Sequence, residues 1–300
     1  EADNAALRHA GAATVIISAV EHPAILQARD DAVRVPVDEN GVLDLAALVA
    51  ALQSAKAPAL VSIMLANNET GVIQPVSEAA EIAHAHNALV HCDGIQGAGK
   101  IPLDINQLGV DFLSLSGHKF GGPQGVGALV MREDRPVLAQ MVGGGQEMGR
   151  RSGTENVAGI TGFGEAARLA ADELERFAAL TKMRNRMEEQ LAEIAPSRKV
   201  IGSDVPRLPN TSCVTMPGVR SDTQVMALDL AGISVSAGSA CSSGKVSASH
   251  VLDAMGMELD EAMTAIRISL GRSTTEDEIN RFVETWSLIF KRNSSHSSAA

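Results

Sequence analysis

Aromatic and basic residues are scarce in this 300-residue sequence. It has six Phe, one Trp and no Tyr, so it has few side chains on which nucleic-acid bases could stack. Its 25 Lys and Arg residues face 36 Asp and Glu residues, giving a formal net charge of −11. An acidic chain is a poor ligand for a phosphate backbone. The sequence therefore predicts no nucleic-acid partner.

Long apolar runs are also absent. No run approaches the roughly 18–20 residues that span a bilayer, so we expect no membrane-spanning segment. The first residues, Glu-Ala-Asp-Asn, have no basic stretch followed by an apolar one and do not resemble a signal peptide. They are instead typical of the middle of a longer chain.

Cysteine is sparse, and its three positions, Cys92, Cys213 and Cys241, form no C-x-x-C pair. This pattern argues against a disulfide framework, a zinc ribbon or an iron–sulfur site and favours a reducing, cytoplasmic location. Cys92 and Cys213 lie in strand-like runs and are predicted to be core residues.

Three histidines, His84, His86 and His91, lie near Cys92 in the sequence. Residues two apart on a helix point about 200° apart, and neighbours on a strand face opposite sides of the sheet. Regular secondary structure therefore keeps these side chains from converging, and we predict no metal site.

Short apolar runs of strand length recur through the first half of the chain. They cover residues 14–20, 59–66, 88–92, 111–116 and 126–131. Between two of them, residues 76–87 place apolar side chains at helical spacing. Alternation of strands and helices predicts an α/β domain with a mostly parallel sheet sandwiched by helices.

The second half has a different character. Residues 155–194 predict one or two long helices, after which strands are expected at 211–216, 233–237 and 265–270, and helices at 222–231, 250–255 and 275–290. This pattern predicts a smaller α+β domain, and we divide the chain into domains 1–173 and 174–300. The polar tail, 293–300, is predicted to be disordered.

Four of the apolar runs end in residues capable of chemistry. If they share one edge of a parallel sheet, these ends bring seven side chains around one crevice: His22, Asn68, Asp93, Gln96, Ser116, His118 and Lys119. A lysine amine that forms a Schiff base and a carboxylate that holds a pyridinium N–H are together typical of a pyridoxal 5'-phosphate (PLP) site.

Six motifs follow one another along the chain: Glu21-His22-Pro23-Ala24, Asn67-Asn68-Glu69-Thr70-Gly71, Asp93-Gly94-Ile95-Gln96, Ser116-Gly117-His118-Lys119, Arg151-Ser152-Gly153-Thr154 and Gly238-Ser239-Ala240-Cys241-Ser242-Ser243. Their order resembles that of cysteine desulfurases of the NifS/IscS type, from the first residue to about Phe290. The resemblance implies a fold-type I, class V PLP enzyme that converts L-cysteine to L-alanine and carries the sulfur as a persulfide.

The resemblance also implies roles for individual residues. Lys119 would bind PLP covalently and move protons, and His22 would stack on the cofactor ring and assist proton transfer. Asp93 would pair with the pyridine nitrogen and Gln96 with the phenolic oxygen. Further cofactor contacts are implied for Asn68, Ser116, His118 and, from the partner subunit of a homodimer, Thr154.

Roles in substrate binding and sulfur transfer are implied for three positions, one of which, Asn68, is also an expected cofactor contact. Asn68 and Arg267 would bind the carboxylate of L-cysteine, and the Cys241 thiolate would accept the sulfur. Residues 236–244 around Cys241 are all small, a composition typical of a flexible segment. The expected acceptor is a protein such as an iron–sulfur scaffold.

The resemblance leaves alternatives open. A selenocysteine lyase or a class V aminotransferase would share the cofactor residues, but an aminotransferase needs no thiol at Cys241. Chains of the family extend upstream of Glu1 through a turn that contributes phosphate contacts. A truncated chain poor in PLP would act instead as an inactive scaffold or partner.

Overall fold

The computed structural model describes residues 1–132, 135, 137–237 and 249–297, with side chains to 293. The chain forms two compact units. Unit 1 comprises Glu1–Asp38, Val42–Asn67 and Ile73–Leu174, and unit 2 comprises Glu39–Gly41, Asn68–Val72 and Glu175–Ala300. Two short segments from the first half of the sequence, residues 39–41 and 68–72, thus belong to unit 2.

Unit 1 is built on a six-stranded sheet in the order β2-β1-β3-β4-β5-β6. Its strands are β1 (Thr14–Ser18), β2 (Val33–Val35), β3 (Ala59–Met64), β4 (Leu89–Asp93), β5 (Phe112–Ser116) and β6 (Gly127–Met131). All neighbouring pairs are parallel except β5 and β6, which are antiparallel. The mostly parallel α/β sheet predicted from the apolar runs is confirmed.

The helices of unit 1 are α1 (Ala2–His9), α2 (Pro23–Leu26), α3 (Leu45–Ser54), α4 (Val76–Ala85), α5 (Ile105–Leu108) and α6 (Val157–Asp172). Different helices bury the two faces of the sheet. The face against α3 and α4 includes Ile16, Val61, Val90 and Leu113. The face against α1 and α2 includes Val15, Ile17, Leu60 and Phe112. Burial on both faces explains why these strands read as continuous apolar runs.

Unit 2 contains a three-stranded antiparallel sheet in the order β7-β9-β8. Its strands are β7 (Thr211–Thr215), β8 (Ser236–Ala237) and β9 (Ala265–Ser269), and its helices are α7 (Leu174–Ile194), α8 (Ser221–Leu230), α9 (His250–Ala254), α10 (Leu259–Ala262) and α11 (Glu276–Ser297). Trp286 of α11 is fully buried in the core of this unit, with Met187 and Leu191 of α7.

Two strands and the C-terminal tail differ from the sequence-based expectations. The short strand β2 was not predicted, because a three-residue edge strand gives too little pattern to detect. The strand expected at 233–237 is reduced to two residues, Ser236 and Ala237. The prediction that the tail is disordered from residue 293 is wrong in part, because α11 continues to Ser297.

A buried carboxylate fixes the start of β5. Asp111 accepts hydrogen bonds from Arg135 Nε at 2.6 Å, from the backbone N–H of Val90 at 2.7 Å and from His84 Nε2 at 3.0 Å. Burial acts to raise the pKa of Asp111, but these donors outweigh it and hold the pKa below its ordinary value. His84 is therefore engaged in joining α4 to the sheet.

In the part of the chain that the structure describes, no helix combines the length and the apolar character needed to cross a bilayer.

Removal of a core side chain of unit 1 tests this packing. Phe112 is fully buried in the cluster that includes Leu7, Ile17 and Leu60. We expect Phe112→Ala to lower the free energy of unfolding by about 3–5 kcal/mol, because it leaves a cavity. Val130→Ala on β6, where the side chain is partly exposed, is the matched control. Urea titrations of both variants measure the difference, and equal midpoints would contradict the assignment of Phe112 to the core.

Candidate active site

The turn after β1 places a buried carboxyl beside a half-buried imidazole. The Oε1 atom of Glu21 accepts a hydrogen bond from the backbone N–H of Met64 at 2.8 Å, which ties the turn to the end of β3. Burial, and then the charge of Asp93, raise the pKa of Glu21 well above its ordinary value. His22 caps α2, with Nδ1 accepting from the backbone N–H of Ala24 at 3.1 Å. This bond assigns the ring proton of neutral His22 to Nε2.

The last residue of β4 is a buried carboxylate. Asp93 is 5% exposed, and its Oδ1 atom accepts from the backbone N–H of Ile95 at 2.9 Å. Among the described residues, no hydrogen bond is made to its Oδ2 atom. Burial and the charge of Asp3 raise the pKa of Asp93 to about 7, whereas the Ile95 N–H and the charge of Lys119 lower it. The structure thus brings Lys119 close enough to Asp93 for its charge to act on that carboxyl.

The end of β5 carries a second polar group. Ser116 Oγ and His118 Nδ1 lie 3.0 Å apart, and the 3₁₀ turn Gly117–Lys119 leaves the His118 and Lys119 side chains exposed. The chain then reverses through Gly121, whose φ of +94° is strained for any other residue. A hydroxyl, an imidazole and an amine are therefore presented together at this strand end.

Two other predicted cofactor contacts lie outside the strand ends. Gln96 lies in the turn after β4, where its Oε1 atom accepts from Lys100 Nζ at 2.8 Å. Thr154 is exposed, shortly after Ser152, whose hydroxyl donates to the carbonyl of Gly144 at 2.8 Å. Neither residue makes a hydrogen bond to Asp93 or Lys119. The roles of Gln96 and Thr154 as cofactor contacts therefore stay predictions.

The two predicted substrate residues are in contact within unit 2. Arg267 Nη1 on β9 donates to the backbone carbonyl of Asn68 at 2.8 Å. Two buried polar atoms beside this contact, Asn68 Oδ1 and Arg267 Nε, make no hydrogen bond in the described part of the chain. An unpaired buried donor and acceptor cost free energy that a polar ligand can recover. Cys241, the predicted sulfur acceptor, lies outside the described residues.

A buried polar network beneath Asp93 was not predicted. The ring of His91 bridges Ser62 Oγ and Ser114 Oγ, each at 2.8 Å, and its Nε2 atom lies 3.7 Å from Asp3 Oδ1. Burial lowers the pKa of His91 to about 4, so the ring is neutral at pH 7. Sequence spacing could have indicated that His91 lies near Asp93. His91 is two residues before Asp93 on the same strand, so the two side chains share a face of the sheet.

The histidines and cysteine that lie close together in sequence have separate environments. His86 Nδ1 pairs with the carbonyl of Ile82, whereas His91 is buried between its two serines. Cys92 is buried in the core of unit 1.

The donor set of unit 1 fits PLP. A pyridinium N–H beside the buried carboxyl of Asp93 would supply the positive charge that lowers its raised pKa. The exposed amine of Lys119 suits a Schiff base, and the Ser116 and His118 side chains offer donors for phosphate oxygens. The fit follows from one buried acceptor and three accessible polar groups at neighbouring strand ends.

Comparison with known proteins is consistent with this chemistry. The profile of the family described as Aminotransferase class-V matches residues 2–282. A cysteine desulfurase of Cereibacter sphaeroides is 44% identical over 297 residues, which are 95% of this chain and 76% of that protein. One of Klebsiella pneumoniae is 44% identical over 285 residues, covering 93% of this chain and 71% of that protein.

Solved structures agree in fold. The structure of a NifS-like protein from Rickettsia africae superposes with a TM-score of 0.88 at 35% identity, covering 97% of this chain and 79% of that one. The chain therefore belongs to the Aminotransferase class-V family, whose members are PLP enzymes, and within it to the cysteine desulfurases.

Proposed function

We propose that this cysteine desulfurase uses Lys119 and His22 at the strand ends of unit 1 for proton transfer and Cys241 as its sulfur acceptor. The observation that carries the proposal is the buried Asp93 carboxyl at the end of β4, on which the charge of Lys119 acts. A buried carboxyl favours binding of a ligand with a cationic ring nitrogen, because the positive charge stabilises the carboxylate. A nearby lysine amine can form a Schiff base with an aldehyde group of the same ligand.

In this proposal the residues of unit 1 hold PLP. Asp93 accepts the ring N–H, Gln96 donates to the phenolic oxygen, and Ser116 and His118 bind the phosphate. The neutral tautomer of His22 carries its proton on Nε2, on the ring edge opposite the α2 cap. When bound, PLP would supply an electron sink for bonds at the substrate Cα and Cβ.

Substrate binding is assigned to unit 2. Arg267 uses Nη1 and Nη2 for protein contacts and keeps a buried Nε donor without a partner. A guanidinium has five N–H donors, so a carboxylate bound at Nε leaves both protein contacts intact. We assign Nε of Arg267 and the side-chain amide of Asn68 to the carboxylate of L-cysteine, and Asn68 additionally to the cofactor.

The other two cysteines are unsuited to accept sulfur, because the thiolate is the nucleophile. Burial raises the pKa of Cys92 well above its ordinary value, with Asp93 adding to the effect. Burial and the charge of Glu69 raise the pKa of Cys213 to about 12. By elimination among the three thiols, Cys241 is left for the transfer.

The transfer balances without an external redox partner. Lys119 takes a proton from the substrate Cα, the carbon–sulfur bond breaks, and a sulfur–sulfur bond to Cys241 forms. Cβ then gains one proton, which balances the proton lost by the Cys241 thiol, and Lys119 returns a proton to Cα. The substrate methylene is reduced to the methyl group of L-alanine while the two sulfur atoms reach the persulfide level. The persulfide then passes to an acceptor protein, for which we propose an iron–sulfur scaffold.

We further propose that the enzyme is a cytoplasmic homodimer. Thr154 is exposed and has no contact with the cofactor residues of its own chain through a hydrogen bond, which suits a donor to the partner's phosphate site. The two described thiols, Cys92 and Cys213, are free, as expected in a reducing compartment.

Lys119→Ala tests the proposed site of covalent attachment. We expect turnover of L-cysteine to fall about 10²–10⁴-fold, because the variant loses the proton-transferring amine. Borohydride reduction followed by peptide mass mapping is expected to label Lys119 in the parent protein. Lys56→Ala, at an exposed lysine, is the matched control. Labelling of another lysine in the parent protein would refute the assignment.

Cys241→Ala separates sulfur transfer from cofactor chemistry. We expect the visible absorbance of bound PLP to remain while L-alanine formation collapses, because no other thiol is poised as a thiolate. Cys213→Ala is the matched control and retains activity. Intact-mass measurement after addition of L-cysteine is expected to show one added sulfur in the parent protein and none in Cys241→Ala. Undiminished alanine formation by Cys241→Ala would refute Cys241 as the sulfur acceptor.

Asp93→Asn tests the raised pKa. Between an unfolded-state pKa of about 3.9 and a folded-state pKa of about 7, the folded cofactor-free protein binds a proton that the unfolded chain lacks. Its free energy of unfolding therefore falls as the pH rises from about 4 to about 7.

Asp93→Asn removes that titration, so its fall in stability over this window is expected to be smaller in urea titrations. In the holoenzyme the same variant is expected to lose about 10²–10³-fold in turnover. Equal pH slopes for the two cofactor-free proteins would contradict burial as the cause.

A further inference from the structure

The turn segment that follows β4, residues 94–101, brings two long polar side chains together. Gln96 Oε1 accepts a hydrogen bond from Lys100 Nζ at 2.8 Å, and both side chains are half-buried. The backbone N–H of Lys100 donates to the carbonyl of Gly97 at 3.0 Å, which keeps the chain coiled between the two residues. A coiled backbone places residues four positions apart on the same side, so the contact follows from the local fold.

Close packing against the sheet fixes the backbone of this turn. The backbone N–H of Gly94 donates to a carbonyl of β5 at 3.0 Å. A Cβ atom at Gly94 would lie 2.6 Å from Leu113 Cδ1, and one at Gly97 would lie 2.4 Å from Leu65 Cδ2. The backbone thus approaches the sheet more closely than a side chain allows, on both sides of Gln96. The position of Gln96 is therefore set by packing, and its amide orientation is left to its own contacts.

The contact with Lys100 determines which end of the Gln96 amide is available. An ammonium group has three N–H donors and no acceptor, so only the amide oxygen can face it. The amide nitrogen of Gln96 makes no hydrogen bond in the part of the chain that the structure describes. Its two N–H donors are thereby kept for a ligand. The neighbouring cation also polarises the amide, which strengthens those donors.

We propose that Lys100 is a positioning residue that fixes the amide orientation of Gln96, so that Gln96 donates to the phenolic oxygen of PLP. The inference rests on the proposed function, in which Gln96 contacts that oxygen. An amide turned the other way would bring its carbonyl oxygen against an anionic oxygen, and the two would repel each other. Lys100 thus acts through Gln96.

The test reads the pKa of bound PLP from its visible absorbance during a pH titration of the holoenzyme without substrate. A donor to the phenolic oxygen stabilises the anion and holds this pKa down. We expect Gln96→Ala to raise it by about 1, the equivalent of one hydrogen bond to a charged group. Lys100→Met is expected to raise it by about 0.5, roughly a threefold change in the proton equilibrium, because the released amide presents its oxygen part of the time. Lys100→Arg, which also only donates, is expected to keep the parent value.

A double-mutant cycle separates positioning from the charge of Lys100. If Lys100 acts through Gln96, Lys100→Met adds no shift in the Gln96→Ala background. The contributions of the other titratable groups of the proposed cofactor site cancel, because all four proteins keep His22, Asp93, His118 and Lys119.

Lys56→Met is the matched control, because Lys56 is an exposed lysine of unit 1 that precedes the first residue of β3. It is expected to keep the parent pKa. If Lys100→Met does not retain PLP, Lys100→Arg and Lys100→Glu decide. A carboxylate at position 100 accepts from the amide nitrogen and turns the amide oxygen toward the ligand, so only Lys100→Glu is expected to raise the pKa.

An unchanged pKa in Lys100→Met, or equal shifts for this variant with and without Gln96, would overturn the inference. Failure of Lys100→Arg to keep the parent value would do the same. Each of these results leaves Gln96 as a cofactor contact. An unchanged pKa in Gln96→Ala would instead refute that contact in the proposed function, and the inference with it.

Discussion

The Asp93 carboxyl at the end of β4 is a charge placed where water cannot stabilise it. Ile95 donates one backbone hydrogen bond to it, and the charge of Lys119 acts on it, yet its pKa is still raised to about 7. Burial of an incompletely compensated carboxylate is unfavourable, and a cationic ligand that binds there removes part of the penalty. If the cofactor binds at Asp93 as proposed, the stability of the protein and its affinity for the cofactor are linked, because a ligand that binds only the folded state stabilises it.

The topology of the sheet explains why a carboxyl is buried at the end of β4. Parallel strands buried by helices on both faces leave only their ends for polar chemistry, and Glu21, Asp93 and Ser116 follow or occupy such ends. The neighbouring carboxyls reinforce one another, since the charge of Asp93 raises the pKa of Glu21. Neutral His91, held by two serine hydroxyls, adds polar contacts beneath Asp93 without adding positive charge at pH 7. The described residues thus leave Asp93 with a pKa raised to about 7.

Local pattern predicted the elements that bury many apolar side chains, and it missed contacts between distant residues. The fully buried strand β3 is a continuous run of apolar residues interrupted only by Ser62, so its place in the sheet could be predicted. The edge strand β2 has three residues, two of them exposed, and offers no comparable pattern. The roles proposed for Lys119 and Asp93 came from motifs, whereas the hydrogen bond from Ser249 to Glu69 joins residues 180 positions apart. Nothing near Ser249 in the sequence indicates that partner.

Burial also explains why neither of the two described thiols is proposed to accept sulfur. A cysteine on a strand of a sheet that is covered on both faces loses the water that would stabilise its thiolate, as the raised pKa values of Cys92 and Cys213 demonstrate. A nucleophilic thiol consequently has to be carried by residues that do not build an apolar core, and residues 236–244 around Cys241 contain only Ser, Ala, Gly and Cys. Of the described residues on either side of this segment, Ser236 accepts a hydrogen bond from Arg267 and Ser249 donates one to Glu69.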